Sequence, residues 1–457
     1  MKRIALMFVI LFTGLALGQQ KPEFKQLRYD DDFSYLRNDT LKGWYNRLKY
    51  STLNSNGTSF FSIGGDIRFQ YLNIKNEDWG DTPNDSDGYT LTRYLLHVDY
   101  HAFKSLRVFF QLQSSISGSR VDPSPVDENT LDIHQAFFDW NIINSERTNL
   151  IFRIGRQEML YGSQRLIAVR EFPNNRMAFD GTRLMLAEKN LKTDLFYTHP
   201  VAGQEKIFDD LFFNEKAKLW GSYTTIGNIP VLNSVDVYYL GLWKQHVKFD
   251  DATGKELRHS LGTRIWKSKG DWRYDFEAVY QFGSAGRKDI NGWTISSNTS
   301  YQFTQAKFRP KFGLKSEAIS GDRNRGDQKL QTFNALYPRG AYFGLAGLIG
   351  PSNLIDVHPS IELEFTKSIN VMVDYDIFWR LSDADGIYAP NTQLIYSGGL
   401  SSENFVGTQL AATVAYQPNS FILIKAEGIY FDSGSFINDS GAGRNVVFGA
   451  ITTQVKF

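Results

Sequence analysis

Arginine is concentrated in one irregular stretch of the chain, residues 155–184. The stretch reads GRQEMLYGSQRLIAVREFPNNRMAFDGTRL and contains five arginines against three carboxylates, Glu158, Glu171 and Asp180. A guanidinium group stays charged at any relevant pH and can hold a carboxylate through two parallel hydrogen bonds. Such a group of arginines could bind a passing anion, or it could pair with the neighbouring carboxylates and stiffen the fold.

Residues suited to other chemistry are few. The chain has no cysteine, which excludes disulfides, thiolate metal sites and a catalytic thiol. Among seven histidines only His97 and His101 are close in sequence, and on one strand their Cβ atoms would lie ~13 Å apart, too far for one metal ion. The sequence NDSDG at residues 84–88 resembles part of a calcium loop but lacks the remaining ligands, so we interpret it as a solvated outer loop.

Motifs for catalysis or nucleotide binding are not found. The chain has no Walker or dinucleotide motif, and no hydrolase signature joins a Ser or Thr nucleophile to a nearby histidine. A net charge of +1 gives no global indication of nucleic-acid binding. We therefore predict no cofactor, no nucleic-acid partner and no enzymatic activity.

Residues 1–18 have the form of a secretory signal peptide. Lys2 and Arg3 precede an apolar core at residues 4–15, and residues 16–18 form a small-x-small cleavage site. The apolar run is too short to span a bilayer, and a buried N-terminal helix is the less favoured alternative. We expect the rest of the chain to be exported.

The composition favours a transmembrane β-barrel. Aromatic residues make up 15% of the chain and charged residues 22%, and mean hydropathy is −0.34. No apolar run after the signal peptide reaches the roughly 18 residues that a transmembrane helix needs. An exported chain that is rich in aromatic and polar residues but lacks apolar helices is typical of an outer-membrane barrel.

Alternation of apolar and polar residues is the main structural signal. In WRYDFEAVYQF, residues 272–282, apolar side chains alternate with Arg273, Asp275, Glu277 and Gln281. The same period recurs along nearly the whole chain, for example in residues 369–380. A soluble sandwich also alternates, but here the apolar face often ends in aromatic residues, as membrane interfaces require.

The end of the sequence supports the same interpretation. The chain closes on VVFGAITTQVKF, with the final Phe457 on the apolar face, which is the form of signal that the outer-membrane assembly machinery recognises. We predict a signal peptide at 1–18, a periplasmic lead-in at 19–58 and an all-β, antiparallel transmembrane barrel at 59–457. At about 22 residues for each strand with its connections, the barrel would have about 18 strands.

Several ordered blocks resemble the alginate export family of outer-membrane porins. They include FKQLRYDDDFSYLRN at residues 24–38, GRQE with FDGTRL inside the arginine-rich stretch, and TFNALYPRGAYFGLAGLIGPSNLIDVHPSIEL at residues 332–363. The resemblance covers essentially the whole mature chain. It implies an 18-stranded monomeric barrel that passes an anionic uronic-acid polymer passively through an arginine-lined constriction, which inward-folded segments narrow.

Within such a barrel the arginine-rich stretch would narrow the lumen. Arg153 lies on the lumen-facing parity of its strand, and residues 157–179 are too irregular for a strand, which is tolerated at membrane depth only beside water or protein. We therefore expect residues 157–179 to fold partly into the lumen. The candidate constriction residues are Arg68, Arg93, Arg153, Arg156, Arg165, Arg170, Arg176, Arg183 and Asp180.

Three functions remain open from the sequence. The first is passive export of an anionic, alginate-like polysaccharide, and the second is a porin for small anions or oligosaccharides. The third is a plugged outer-membrane enzyme or adhesion barrel. For the first two we expect an integral, monomeric protein of a Gram-negative outer membrane, in contact with lipid and with the assembly machinery.

Overall fold

The computed structural model describes residues 22–38, 43–82 and 87–457. In these residues eighteen antiparallel strands form one closed barrel, which confirms the predicted architecture. Each strand pairs with its neighbour along the chain, and the barrel closes where Phe60–Lys75 pairs with Val446–Lys456. The predicted signal peptide and most of the NDSDG loop lie outside the described residues.

Four short strands, β1, β15, β18 and β19, lie outside the set of eighteen that form the wall. The strands are β1 Ser51–Thr52, β2 Phe60–Lys75, β3 Tyr89–Ala102, β4 Leu106–Gly118, β5 Asn129–Asn144, β6 Thr148–Gln157, β7 Phe179–Glu188, β8 Leu191–Pro200, β9 Ala217–Ile229, β10 Asn233–Lys248, β11 Thr253–Lys267, β12 Trp272–Ala285, β13 Lys288–Gln302, β14 Lys311–Ile319, β15 Lys329–Leu330, β16 Leu354–Thr366, β17 Ile369–Trp379, β18 Ile387–Tyr388, β19 Leu394–Tyr396, β20 Phe405–Tyr416, β21 Ile422–Ser433 and β22 Val446–Lys456.

In the part of the chain that the structure describes, helical structure is limited to short pieces. Two α-helices, α1 Trp44–Lys49 and α2 Ser435–Ser440, are accompanied by 3₁₀ turns at Arg28–Asp30, Ser34–Asn38, Glu77–Gly80 and Gly398–Leu400. None of the helices in the described ranges has the length and apolar character needed to cross a membrane.

The wall shows the predicted alternation. On β3, Tyr94 and Leu96 are 45% and 49% exposed on the outer face, whereas Arg93 is fully buried and His97 is 2% exposed on the inner face. Successive side chains of a strand point to opposite faces, so an apolar outer surface and a polar lumen result from one period-two pattern.

The two ends of the barrel differ in the length of their connections. At the short-turn end, where β2 begins and β22 ends, most connections have two to five residues, as at 103–105 and 367–368. At the long-loop end the connections include residues 158–178, 320–353 and 380–404. This asymmetry leaves enough chain at one end to fill much of the lumen.

Two long connections fold into the barrel and pair with each other. We call residues 158–178 the first inward segment and residues 331–353 the second. Ile167 and Tyr337 form a parallel bridge between them, and the Tyr337 amide donates to the Leu166 carbonyl over 2.9 Å. Their apolar residues join lumen-facing wall residues in the largest buried cluster, so much of the core lies inside the barrel.

The start of the described chain occupies the short-turn mouth. The ring of Tyr29 packs edge-on against Phe109 and Phe137, which face the lumen, and its hydroxyl donates to the Glu158 carbonyl over 2.9 Å. Arg28 donates to the Gly65 carbonyl over 2.8 Å. Part of the expected lead-in therefore lies within the barrel mouth and touches the first inward segment.

Candidate functional site

Two glycines face each other on the strands that lead into and out of the first inward segment. Gly155 on β6 and Gly181 on β7 lie opposite each other, with φ of +130° and +158°. A Cβ atom at either position would lie 2.2 Å from a backbone oxygen of the adjacent strand. The register is continuous through both glycines, so Arg153 and Arg183 face the lumen, whereas Arg156 lies opposite Ala136 and Asp180 on the outer parity.

Three strand arginines form close ion pairs in the wall. Arg153 holds Asp139 through Nε and Nη2, at 2.6 and 2.8 Å, and its guanidinium lies 3.7 Å from the centre of the Phe137 ring. Arg156 holds Asp180 in the same bidentate way, at 2.8 and 3.1 Å.

Arg183 is the third of these strand arginines. It donates to Asp194 over 2.6 Å, and a second nitrogen lies 3.4 Å from the Tyr29 hydroxyl. Asp180 is thus the partner of Arg156 and not of Arg176 or Arg183, although these lie close to it along the chain. Facing strands, and not adjacent sequence, decide this pairing.

Arg68 and Arg93 hold the tip of the first inward segment. Arg68 donates to the carbonyls of Glu171 and Pro173, at 2.8 and 3.0 Å, and Arg93 donates to the Glu171 carboxylate over 2.5 Å. Both arginines are buried on adjacent strands, β2 and β3. They therefore fix the tip of the segment to the β2 and β3 side of the lumen.

Arg176 connects two carboxylates within the first inward segment. Its Nε and Nη2 donate to Glu158 over 2.6 and 3.0 Å, and its Nη1 pairs with Glu171. Burial alone would raise the pKa of Glu171, but the guanidinium groups of Arg176, Arg93 and Arg68 hold that pKa well below its usual range. The carboxylate therefore stays ionised inside the barrel.

Arg165 reaches the opposite wall. It donates to Glu317 on β14 over 2.8 Å and lies 3.3 Å from Glu277 on β12. The first inward segment therefore crosses the lumen from β2 and β3 to β12 and β14.

Arg170 differs from the other arginines in its partners. Its Nε lies 3.4 Å from the carbonyl of Pro338, and its guanidinium lies 6.0 Å from the centre of the Tyr337 ring, both in the second inward segment. Among the described residues no carboxylate lies within ion-pair distance of this half-buried side chain.

Two cavities meet the first inward segment from opposite ends of the barrel. The short-turn cavity, about 480 Å³, is lined by three arginines and three aspartates, Arg107, Arg153, Arg183, Asp30, Asp139 and Asp194, together with Tyr161 of the segment. The long-loop cavity, about 270 Å³, is lined by Arg170, Arg176 and neighbouring residues of the segment and of loops 125–126 and 200–203. The segment thus borders both cavities, and each presents guanidinium groups.

The structure brings seven of the nine predicted residues to the lumen side, in contact with or next to the first inward segment: Arg68, Arg93, Arg153, Arg165, Arg170, Arg176 and Arg183. Arg156 and Asp180 lie on the outer parity of their strands and contact the connection after β8, where Arg156 donates to the Leu211 carbonyl over 3.0 Å and Asp180 accepts from the Phe213 amide over 2.9 Å. The structure also adds partners that the sequence did not single out, chiefly Asp139, Asp194 and Glu317. Alternation marked carboxylates of this kind as lumen residues but carried no information on which arginine each would meet. The second inward segment was also missed, since nothing local distinguishes an inward connection from an outer loop.

Comparisons with known proteins agree with this architecture. The sequence model of the alginate export family matches residues 60–447. No curated protein sequence matches significantly.

Solved structures of three Pseudomonas aeruginosa proteins share the fold. OpdO superposes with a TM-score of 0.58 at 10% identity, covering 87% of this chain and 97% of that one. OccK2 (OpdF) in complex with glucuronate gives 0.56 at 10% identity, covering 87% and 98%. OpdK with vanillate gives 0.57 at 10% identity with the same coverage. The eighteen-stranded wall and the family match over most of the sequence lead to one conclusion: the chain belongs to the alginate export family.

Proposed function

We propose that this protein is a passive outer-membrane channel for anionic saccharides, with an alginate-type polyuronate as the first candidate. The main support is the pair of cavities containing arginines that lie on either side of the first inward segment, one towards each end of the barrel. A carboxylated saccharide entering either end would meet guanidinium groups before the narrowest part of the lumen. Family membership supports the same assignment.

Paired arginines suit passage better than tight capture. Conduction requires binding that is favourable enough for entry and weak enough for release. Arg153 and Arg183 already hold Asp139 and Asp194, so an incoming carboxylate would compete with resident partners. Arg170, without a carboxylate partner among the described residues, would offer a stronger contact at the long-loop end. The lumen thus provides graded attraction along the path.

A second candidate is a porin for small anions such as monosaccharide acids or oligosaccharides. The narrowing of the lumen favours it, since the first inward segment and the Tyr29 region meet through the 2.9 Å bond to Glu158. Structurally similar channels have been crystallised with glucuronate and vanillate. Polymer and small solute share the carboxylate, so the arginines serve either.

The surroundings follow from the same proposal. The outer belt of exposed aromatic and aliphatic residues would contact lipid of a Gram-negative outer membrane. Phe457 would serve as the terminal signal for the assembly machinery, and the closed barrel would act as a monomer. Barrels of 16–18 strands enclose an aqueous path without a partner subunit.

Single-channel recording in a planar bilayer tests the proposal. We expect a reversal potential in a KCl gradient that shows anion selectivity, and block by polymannuronate added to one side. Block by polymer indicates the first candidate, whereas indifference to polymer with block by glucuronate indicates the second. Cation selectivity, or no conductance at all, would contradict both.

Arg170→Ala provides the matched variant, because removing this side chain leaves no described carboxylate without its partner. We expect it to reduce anion selectivity and weaken solute block. Arg309→Ala is the control, since Arg309 is 50% exposed in a turn at the short-turn end and pairs with Glu364 there. An equal effect of both substitutions would show that overall charge, and not the lumen site, sets selectivity.

A further inference from the structure

A cluster of metal-ligand type lies on the lumen wall, away from the arginines described above. Asp356 and His358 are two residues apart on β16, and Asp376 lies on the neighbouring β17. One ligand atom from each of the three side chains lies within 4.8 Å of the others. All three face the lumen in the half of the barrel nearer the long-loop end.

The carboxylate of Asp356 lacks hydrogen-bond partners. Both of its oxygens are buried and make no hydrogen bond to any described residue, while Nδ1 of His358 and Oδ1 of Asp376 contact each other beside it. Asp356 and Asp376 are both 0% exposed. Buried carboxylates are normally hydrogen-bonded, paired with cations or bound to metal, because leaving them bare costs several kcal/mol.

Neighbouring residues orient the cluster as they do around bound metals. Nε2 of His358 lies 3.3 Å from Asp374 Oδ1, which leaves Nδ1 directed to the carboxylates. The Gln409 amide donates to Asp376 Oδ2 over 2.8 Å and leaves Oδ1 directed to the His358 imidazole. A carboxylate behind the imidazole, together with a hydrogen bond to the second oxygen of a carboxylate ligand, is the usual outer shell of a metal site.

Resident cations do not neutralise the cluster. Lys315 lies 4.0 Å from Asp356 but is closer, at 3.1 Å, to Glu317. Three aspartates, at 356, 374 and 376, therefore share one lysine with a fourth carboxylate. A protonated His358 would add one positive charge and still leave the group negative.

We propose that Asp356, His358 and Asp376 form a binding site for a divalent transition-metal ion such as Zn²⁺. Two carboxylates and one imidazole suit such ions, and all three side chains lie on the lumen face of the wall. Calcium fits less well, since it prefers six to eight oxygen ligands. The ion would cross-link β16 to β17 beneath the second inward segment, whose Phe343 carbonyl accepts a hydrogen bond from the same Gln409.

Zinc titration of tag-free, EDTA-treated protein in detergent tests this site. We expect one Zn²⁺ per chain by isothermal titration calorimetry, with micromolar or tighter affinity, and a raised unfolding temperature. Zinc-edge anomalous diffraction from crystals soaked in ZnCl₂ should place the ion among the three side chains. No binding at about 100 micromolar Zn²⁺ would overturn the proposal. An anomalous peak found only elsewhere in the protein would also overturn it.

Substitutions in the cluster add a second readout. Asp356→Asn and His358→Gln should each weaken Zn²⁺ binding at least tenfold. Glu362→Gln on the same face of β16 is the control, because Glu362 pairs with Lys311 outside the cluster. Heat-dependent mobility on SDS gels verifies folding of each variant. Unchanged affinity in both folded cluster variants would contradict the assignment.

Discussion

At the scale of single residues, buried ion pairs hold the barrel together. Arg156 and Asp180 are 1% and 0% exposed and meet through two hydrogen bonds. A buried charge that loses its partner pays the full cost of desolvation, whereas an exposed pair is worth little. The buried arginines of the barrel are therefore structural.

Asp180→Asn should lower the free energy of unfolding by about 3–5 kcal/mol, because Arg156 would keep a buried charge without a carboxylate. Urea unfolding in lipid vesicles, followed by tryptophan fluorescence, measures the change. The control is Glu364→Gln, which removes the carboxylate of a half-exposed pair with Arg309 and should cost about 1 kcal/mol or less. Equal losses would show that burial does not set the strength of these pairs.

At the scale of elements, β6 and β7 lead into and out of the first inward segment and keep their alternation up to their ends. Their register is continuous through Gly155 and Gly181, so Arg153 and Arg183 face the lumen and Arg156 and Asp180 lie on the opposite face. A slip of one residue would exchange the two faces. The paired glycines matter for the close approach of the strands, because a Cβ atom at either position would lie 2.2 Å from a backbone oxygen.

Gly155→Ala should destabilise the barrel by at least about 1–3 kcal/mol, since its φ of +130° is strained for any side chain. The added Cβ would also lie 2.2 Å from the Ala136 carbonyl oxygen. Gly449→Ala on β22 is the matched control, because no atom lies within 4 Å of its Cβ position. The same urea assay compares them, and a stable Gly155→Ala protein would show that the strand can realign.

At the scale of the whole molecule, the barrel is filled from both ends. The inward segments enter from the long-loop end, and the region around Tyr29 fills the short-turn mouth. The two fillings touch where Tyr29 meets Glu158 and where Gln26 meets Gln164 over 3.2 Å. Segments far apart in sequence therefore fill the lumen together.

A variant lacking residues 22–33 should conduct more current than the intact protein, because the short-turn mouth would widen. Single-channel conductance in KCl measures this. In a second variant, a glycine-serine sequence of equal length replaces residues 22–33. This variant keeps the chain in place but removes its packed side chains, and it should also conduct more. Unchanged conductance in both folded variants would place the narrowest point entirely within the inward segments.

The sequence predicted the wall well because alternation is a local property. Whether Tyr94 faces lipid and Arg93 faces the lumen depends only on strand parity, so about 18 strands could be inferred before any contact was known. The irregularity of residues 157–179 likewise indicated an inward connection. The ordered motif blocks of the mature chain also indicated the family, because each block is a local stretch of sequence.

Contacts inside the lumen could be decided only by the tertiary structure. Arg165 meets Glu317 across 152 positions of sequence, and Arg68 meets Glu171 across 103, so no local pattern contains either partner. The cluster of Asp356, His358 and Asp376 exists only because β16 and β17 are in register. The sequence by itself determined which residues face inward. Closure of the barrel around the two inward segments determined which charges neutralise one another and which stay available to a ligand.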